Sequence, residues 1–175
     1  LADLGYAGLP DLSPSAEAGI LDREYHYALD RSDGRAMVEI HWNVAARHFL
    51  LPLSIEGWWD RAGTAQIHSR PVPNLSAEDL LVALCVHGCK HMWQSLSWSI
   101  DVATLLERHP DLDWDSVFSQ CGAEDLRRII YLGLNVACSV VDARVPPEIL
   151  KRSRQDSAAA ALARQVKAEL FQHKG

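Results

Sequence analysis

The period of the hydrophobic pattern changes near residue 74, and no other feature of the sequence constrains the fold as strongly. Residues 1–72 carry strand signals, in which apolar and polar side chains alternate. Residues 75–173 carry helix signals almost throughout. We therefore predict an α+β protein, with a sheet-bearing lobe over residues 1–73 and a helical domain over residues 74–175.

Two strand-like runs in the first half, Arg23–Asp30 and Arg35–Val44, are separated by four residues that end in Asp-Gly, a pair typical of β-hairpins. Because side chains alternate between the two faces of a strand, Glu39 and His41 share one face. A loop of two or four residues puts His26 on this face too, whereas a loop of three would reverse the register. We expect the first register because it groups apolar side chains with apolar ones.

Helix signals follow one another through the second half of the chain. Ser76 is a favourable N-cap, so we predict a helix from Ala77 to about Gln94, followed by a second helix or a continuation of the first. A short helix and a strand are predicted ahead of it, over residues 55–62 and 64–67. The other predicted helices span about Leu96–Arg108, begin at Asp113, span Glu124–Val141, run from Pro147 to about Arg154 and span Ser157–Gln172.

The first long helix of the second half carries polar side chains on one face. His87 and His91 are four residues apart and Lys90 follows His87 by three, so the three are neighbours on a helix. Trp98 and Asp101 extend this face if the helix continues. A polar group on an otherwise core-facing stripe either faces a cleft or is hydrogen-bonded inside the protein.

Three interpretations of this polar face stay open. Histidines at this spacing are typical of zinc ligands, but Gly88 stands where the metalloprotease motif has Glu, and Cys85 and Cys89 lie on another face of the helix. Alternatively, the histidines are buried and hydrogen-bonded to the backbone, and Trp93 and Trp98 are part of the core. In the third interpretation, Lys90 and the histidines line a cleft and face an anionic group of a ligand.

Composition excludes several classes of protein. The net charge of −6 provides no basic field for nucleic acid, and the densest basic run, Lys151–Arg154, is typical of a solvated helix face. No apolar run approaches the roughly 20 residues of a membrane span. The four cysteines include no CxxC pair and are typical of reduced thiols, so we predict a cytoplasmic protein. The sequence does not begin with Met, and we expect it to be a piece of a longer protein.

Three sequence motifs occur in a fixed order along the chain. They are "VEIHW" at residues 38–42, "LSAEDLL" at 75–81 and "HGCKHMWQSLSWSIDV" at 87–102, with Asp113-Trp114 downstream. Together they resemble a family of bacterial proteins described as uncharacterised nucleotidyltransferases, and the resemblance spans roughly Leu4 to Val145. It implies part of a polymerase-β-like nucleotidyltransferase lobe, represented here by the hairpin, followed by a helical bundle.

The resemblance also implies an activity, namely Mg²⁺-dependent transfer of a nucleotidyl group from an NTP to an unknown acceptor. Enzymes of this superfamily hold the metal with two aspartates on one strand and a third carboxylate on a neighbouring strand. By the resemblance, Glu39 is the third carboxylate, with a catalytic and metal-binding role. The paired aspartates would lie just before Leu1 and are absent from this sequence, so we expect the activity to be incomplete in this chain and to require them in the full protein.

Further roles in nucleotide binding follow from the same resemblance. Lys90 contacts the nucleotide phosphates, His87 and His91 position a phosphate or the acceptor, and Trp98 lines the nucleotide site. Asp101 orients Lys90 or a histidine, or acts as a general base. The predicted partners are an NTP and an unknown acceptor, and the sequence does not indicate an oligomeric state. Two alternatives stay open: a non-catalytic ligand- or partner-binding helical module, and a zinc-binding protein that uses His87 and His91, although we expect magnesium rather than zinc.

Overall fold

A computed structural model shows an α+β protein, as predicted, with antiparallel sheets of three and two strands among mostly helical structure. The chain divides into two compact units, Leu1–Leu51 and Pro52–Gly175, and each is described by itself. The structure describes residues 2–7, 13–46, 49, 51, 53, 55–122 and 124–172.

The first unit contains the three-stranded sheet. After a short 3₁₀ helix at Ala2–Leu4, the elements are β1 Tyr6–Ala7, α1 Pro14–Arg23, β2 His26–Arg31 and β3 Met37–His41, and the strand order is β1-β2-β3. Neither β1 nor α1 is predicted from the hydrophobic pattern. The signal for α1 is local: the Ser13 side chain accepts a hydrogen bond from the Ala16 amide, and Pro14 occupies the first helical turn.

The predicted hairpin between β2 and β3 is confirmed in its register. His26 lies opposite His41, and Ala28 lies opposite Glu39. The three polar side chains His26, Glu39 and His41 therefore share one face of the sheet. Gly34 has φ of +67° in the connecting loop, a conformation that glycine adopts without the steric cost of a Cβ atom.

The second unit begins with a short helix and a second hairpin. These elements are α2 Glu56–Asp60, β4 Gly63–Ile67 and β5 Arg70–Asn74. The predicted helix and strand at residues 55–67 are thus confirmed, and β5 is an addition. The β4–β5 hairpin belongs to the second unit, whereas the predicted boundary at residue 73 places these strands in the first lobe. The identification of residues 1–73 as a nucleotidyltransferase lobe stays a prediction.

Strand β5 contains two prolines, which explains why the hydrophobic pattern does not indicate it. Pro71 lies opposite Gln66 and Pro73 lies opposite Thr64, while the pair Ile67 and Arg70 closes the turn. Ladder hydrogen bonds alternate along an antiparallel pair, so both prolines fall where an amide would point away from β4. The missing N–H groups therefore cost the hairpin no hydrogen bond.

The remaining chain forms a bundle around α6. Buried residues occupy all of positions 132–137 in this helix, because neighbouring helices cover it on several sides. Helices α4 to α8 begin and end within a residue or so of the predicted positions. The helices are α3 Ala77–Lys90, α4 Leu96–Arg108, α5 Trp114–Ser119, α6 Glu124–Val141, α7 Pro147–Gln155 and α8 Ser157–Gln172.

An ion pair between an exposed arginine and a buried aspartate joins the residue after α2 to the first turn of α3. Asp79 is fully buried, and its two carboxylate oxygens accept hydrogen bonds from Arg61 Nη2 at 2.8 Å and Arg61 Nε at 3.1 Å. The hydrogen bond with Asp79 raises the pKa of Arg61. The predicted N-cap is confirmed, since the Ser76 hydroxyl accepts from the Asp79 amide. The N-cap and the bidentate pair together anchor the first turn of α3.

Candidate functional site

Helix α3 ends at Lys90 in a Schellman motif, four residues before its predicted end. The Trp93 amide donates to the Gly88 carbonyl at 2.8 Å, and the Met92 amide donates to the Cys89 carbonyl at 3.0 Å. Met92 and Trp93 have φ of +54° and +53°, in the left-handed region. The chain therefore reverses direction between α3 and α4, and the two are separate helices.

The reversal carries Trp93 into a slot between two glycines. A Cβ atom at Gly88 would lie 2.6 Å from the indole ring of Trp93, and one at Gly133 of α6 would lie 3.1 Å from the same ring. Trp93 is only 1% exposed, which confirms the interpretation of this residue as core. Gly88 is thus required by packing, because any larger side chain would occupy the space of the indole.

The same reversal brings three aromatic rings together on the outside of the turn. The ring centroids of His87 and His91 are 4.7 Å apart, and those of Trp98 lie 5.6 Å from His87 and 5.3 Å from His91. Trp98 stands edge-on to His87, at 79°, and is tilted by 30° to His91. We call these three residues the His–Trp cluster. A continuous helix would place these three side chains on one face. In the structure the same three side chains meet, but they come from two helices that are joined by a turn.

The cluster lies beside the core and not on the core-facing stripe of α3. The buried face of α3 is formed by Leu81, Val82, Cys85, Val86 and Gly88, together with Asp79. In contrast, Leu80, Leu84 and His87 are half-buried and His91 is exposed. The prediction that the face of α3 with His87 and His91 belongs to the core-facing stripe is therefore wrong. The helix turns a different face, which includes Val82 and Cys85, toward the core. The polar side chains on the face with His87 and His91 are accessible to a ligand from solvent.

Lys90 and Asp101 flank the cluster on the two helices. Lys90 is the last residue of α3 and is half-buried, and Asp101 is exposed on α4 one turn after Trp98. Cationic side chains in the last turn of a helix are stabilised by the negative end of its dipole. The site thus offers an ammonium group, two imidazoles and an indole face within about two helical turns.

Zinc coordination at the cluster would need further ligands. Burial raises the pKa of the Cys85 thiol well above its usual range, and burial also raises the pKa of Cys89. Cys85 is buried on the core-facing side of α3, whereas His87 is half-buried and His91 is exposed, so this thiol does not face the cluster. Among the residues that the structure describes, no group of three or more His, Cys, Asp or Glu side chains is arranged to hold a metal ion.

Glu39 lies in the first unit within a polar group on the hairpin. Its Oε2 is 3.0 Å from His41 Nε2, and the His26 ring stacks on His41 with centroids 5.0 Å apart. The Glu39 side chain is 41% exposed, so it can reach a ligand. The described residues supply Glu39 but not the further carboxylates that magnesium would need, so they do not form a magnesium site by themselves.

Comparison with known proteins identifies one relationship. A family model described as "Uncharacterised nucleotidyltransferase" matches residues 1–142, which include the hairpin, α3, the turn and α4. No curated protein and no solved structure matches the chain. Over the described part of the chain, no helix is both long and apolar enough to span a bilayer.

Proposed function

This chain belongs to the uncharacterised nucleotidyltransferase family, and we propose that it takes part in nucleotidyl transfer from an NTP to an acceptor. In this reaction the acceptor forms a bond to the α-phosphorus, the bond between that phosphorus and the bridging oxygen breaks, and pyrophosphate leaves. The observation that supports the proposal is the His–Trp cluster beside Lys90, which lies inside the matched segment. We also propose that this occurs in the cytoplasm.

The cluster and Lys90 supply chemistry that suits a nucleotide. Lys90 carries a compact positive charge with three N–H donors, which suits a phosphate oxygen. His87 and His91 add ring N–H donors at the same helix end. Trp98 offers an indole face on which a nucleobase can stack, and such stacking contributes about 1–3 kcal/mol per base. The proposed division is thus phosphates on Lys90 and the histidines, and the base on Trp98.

Two carboxylates have proposed roles in the chemistry. Asp101 is exposed one turn from Trp98, and we assign it the role of general base toward the acceptor or of a positioning residue for Lys90. Glu39 is proposed as one carboxylate ligand of Mg²⁺. Because the described residues do not complete a magnesium site, no step of the reaction is assigned to the metal.

Removal of the Lys90 charge tests the proposal directly. We expect Lys90→Ala to weaken NTP binding by about tenfold or more, because a charge-assisted hydrogen bond contributes about 1.5–3 kcal/mol. The measurement is isothermal titration calorimetry with each common NTP in the presence of Mg²⁺. Lys151→Ala is the matched control, since it removes one exposed lysine of α7 and should leave NTP affinity unchanged.

The outcomes separate the proposal from its alternatives. Equal NTP affinities of the wild-type protein and Lys90→Ala would contradict the assignment of this site. NTP binding without release of pyrophosphate, measured in the full-length protein, would instead indicate a non-catalytic binding module. Zinc that copurifies, and that His87→Gln and His91→Gln both remove, would support the zinc alternative.

A further inference from the structure

A basic cavity lies between α6, α7 and α8. Its volume is about 320 Å³, at the lower end of the range of small-molecule sites. Five of its seven lining residues follow residue 142, where the family match ends. The lining residues are Asn135, Ser139, Arg154, Ala160, Ala163, Arg164 and Lys167.

Small side chains and a fixed amide form the floor of this cavity. Ala160 and Ala163 face it from α8, and Ala163 is 4% exposed. Asn135 is 7% exposed, and its Nδ2 donates to the Ser153 carbonyl at 3.0 Å while its Oδ1 accepts from the Ser153 hydroxyl at 2.9 Å. Because an amide nitrogen carries two hydrogens, Asn135 keeps a second donor in a fixed position.

Of the lining residues that the structure describes, three are cations and none is a carboxylate. Lys167 Nζ donates to the Ser139 carbonyl at 2.6 Å, which uses one of its three N–H groups. For Arg154 and Arg164, the described part of the chain provides no ion pair. Three positive charges around one cavity repel one another, so an anion placed between them would stabilise the arrangement.

Two acidic side chains nearby in sequence already interact elsewhere. Asp156 accepts from Arg128 Nε at 3.1 Å, and the hydrogen bond from the Ala159 amide, followed by that from Arg128, lowers the pKa of Asp156. Glu169 accepts from Gln165 at 2.8 Å. These carboxylates are therefore committed to other partners and do not line the cavity.

A purely structural explanation accounts for part of this charge. Lys167 binds a carbonyl near the end of α6, and Arg154 lies in the last turn of α7, where cations suit the helix dipole. Arg164 lies in the middle of α8, away from either end, so the dipole does not explain it. The charge of Arg164 beside two other cations is the observation that points to a ligand.

We infer that this cavity binds the phosphate group of a small phosphorylated molecule. The planar forks of Arg154 and Arg164 match the bidentate geometry of phosphate oxygens, Lys167 adds a point charge, and Asn135 adds a neutral donor. The inference does not depend on the proposed nucleotidyl transfer, since it concerns different helices and different side chains.

The experiment measures the binding of inorganic phosphate to the whole chain by calorimetry and by thermal stabilisation at constant ionic strength. We expect saturable binding of phosphate, no saturable binding of acetate, and a loss of about tenfold or more in phosphate affinity in the double variant R154Q/R164Q. Arg152→Gln is the matched control, because Arg152 is an exposed arginine on the same helix that does not line the cavity.

Each result decides for or against the phosphate site. Equal weakening by Arg152→Gln would show a general effect of net charge and would overturn the inference, as would the absence of saturable phosphate binding. Acetate that competes equally with phosphate would overturn the assignment to phosphate. Arg164→Gln alone, on an exposed position of α8, provides the same test if the double variant does not fold.

Discussion

The turn between α3 and α4 has an inner and an outer face, and the two faces use their tryptophans in opposite ways. On the inner face, Trp93 is buried in the slot between Gly88 and Gly133. On the outer face, Trp98 is half-buried and contacts two histidine rings. One short segment can therefore stabilise the fold through one tryptophan and leave the other accessible to a ligand.

Loss of the inner tryptophan is expected to have the largest effect. Trp93→Ala should destabilise the second unit by about 3–5 kcal/mol, because it leaves a cavity between α3 and α6. Urea unfolding followed by the helical circular dichroism signal measures this free energy. Trp98→Ala is the paired variant from the outer face, and its cost should be clearly smaller. Equal costs for the two variants would contradict the division into an inner and an outer face.

A methyl group in the slot should have the next largest effect. In Gly88→Ala a Cβ at 2.6 Å from the indole forces Trp93 to move, at an overpacking cost of about 1–3 kcal/mol. The gain of about 1 kcal/mol in helix propensity offsets part of this cost, so we expect a net destabilisation of the second unit of up to about 2 kcal/mol. Gly122→Ala is the control, since no heavy atom lies within 4 Å of its Cβ position. The unfolding free energies of the two variants should therefore differ in sign or by at least 1 kcal/mol, on the order of the expected overpacking cost.

Relief of backbone strain at the turn should have the smallest effect, and it should be stabilising. Met92 is 63% exposed and has φ of +54°, so Met92→Gly removes a left-handed strain of about 1–2 kcal/mol and increases the entropy of the unfolded chain. We expect a net gain of about 0.5–1 kcal/mol in the free energy of unfolding. Met92→Ala keeps the strain and separates backbone from side-chain effects. A similar gain in Met92→Ala would rule out the backbone explanation.

Features with a regular period could be predicted from the sequence. The register of the β2–β3 hairpin follows from the alternation that pairs His26 with His41, and the bounds of α6 follow from its uninterrupted apolar pattern. Helix α1 was missed because a ten-residue helix with no buried residue leaves no apolar stripe to detect.

The geometry of the candidate site could be predicted only in part. His87, His91 and Trp98 do meet, but across a reversal that depends on a methionine in a left-handed conformation, a position where glycine is the usual signal. The slot for Trp93 depends on Gly133, a residue far away in sequence. Contacts of this kind have no local pattern, so the sequence indicated the residues and not their arrangement.

The basic cavity was not predicted because its cations lie on two helices. The run Lys151–Arg154 indicates a solvated helix face, and its three basic side chains are exposed. Arg154 in addition lines the cavity together with Arg164 of the next helix. Helix-surface patterns describe one helix at a time, whereas the cavity results from the packing of three.

The two prolines of β5 affect how the chain behaves at high concentration. An exposed strand edge normally presents N–H donors to which a strand from another molecule can add. At Pro71 and Pro73 the outer edge of β5 lacks those donors, while the hydrogen bonds toward β4 remain complete. This edge of β5 therefore resists strand addition between molecules, while the pairing of β5 with β4 is kept.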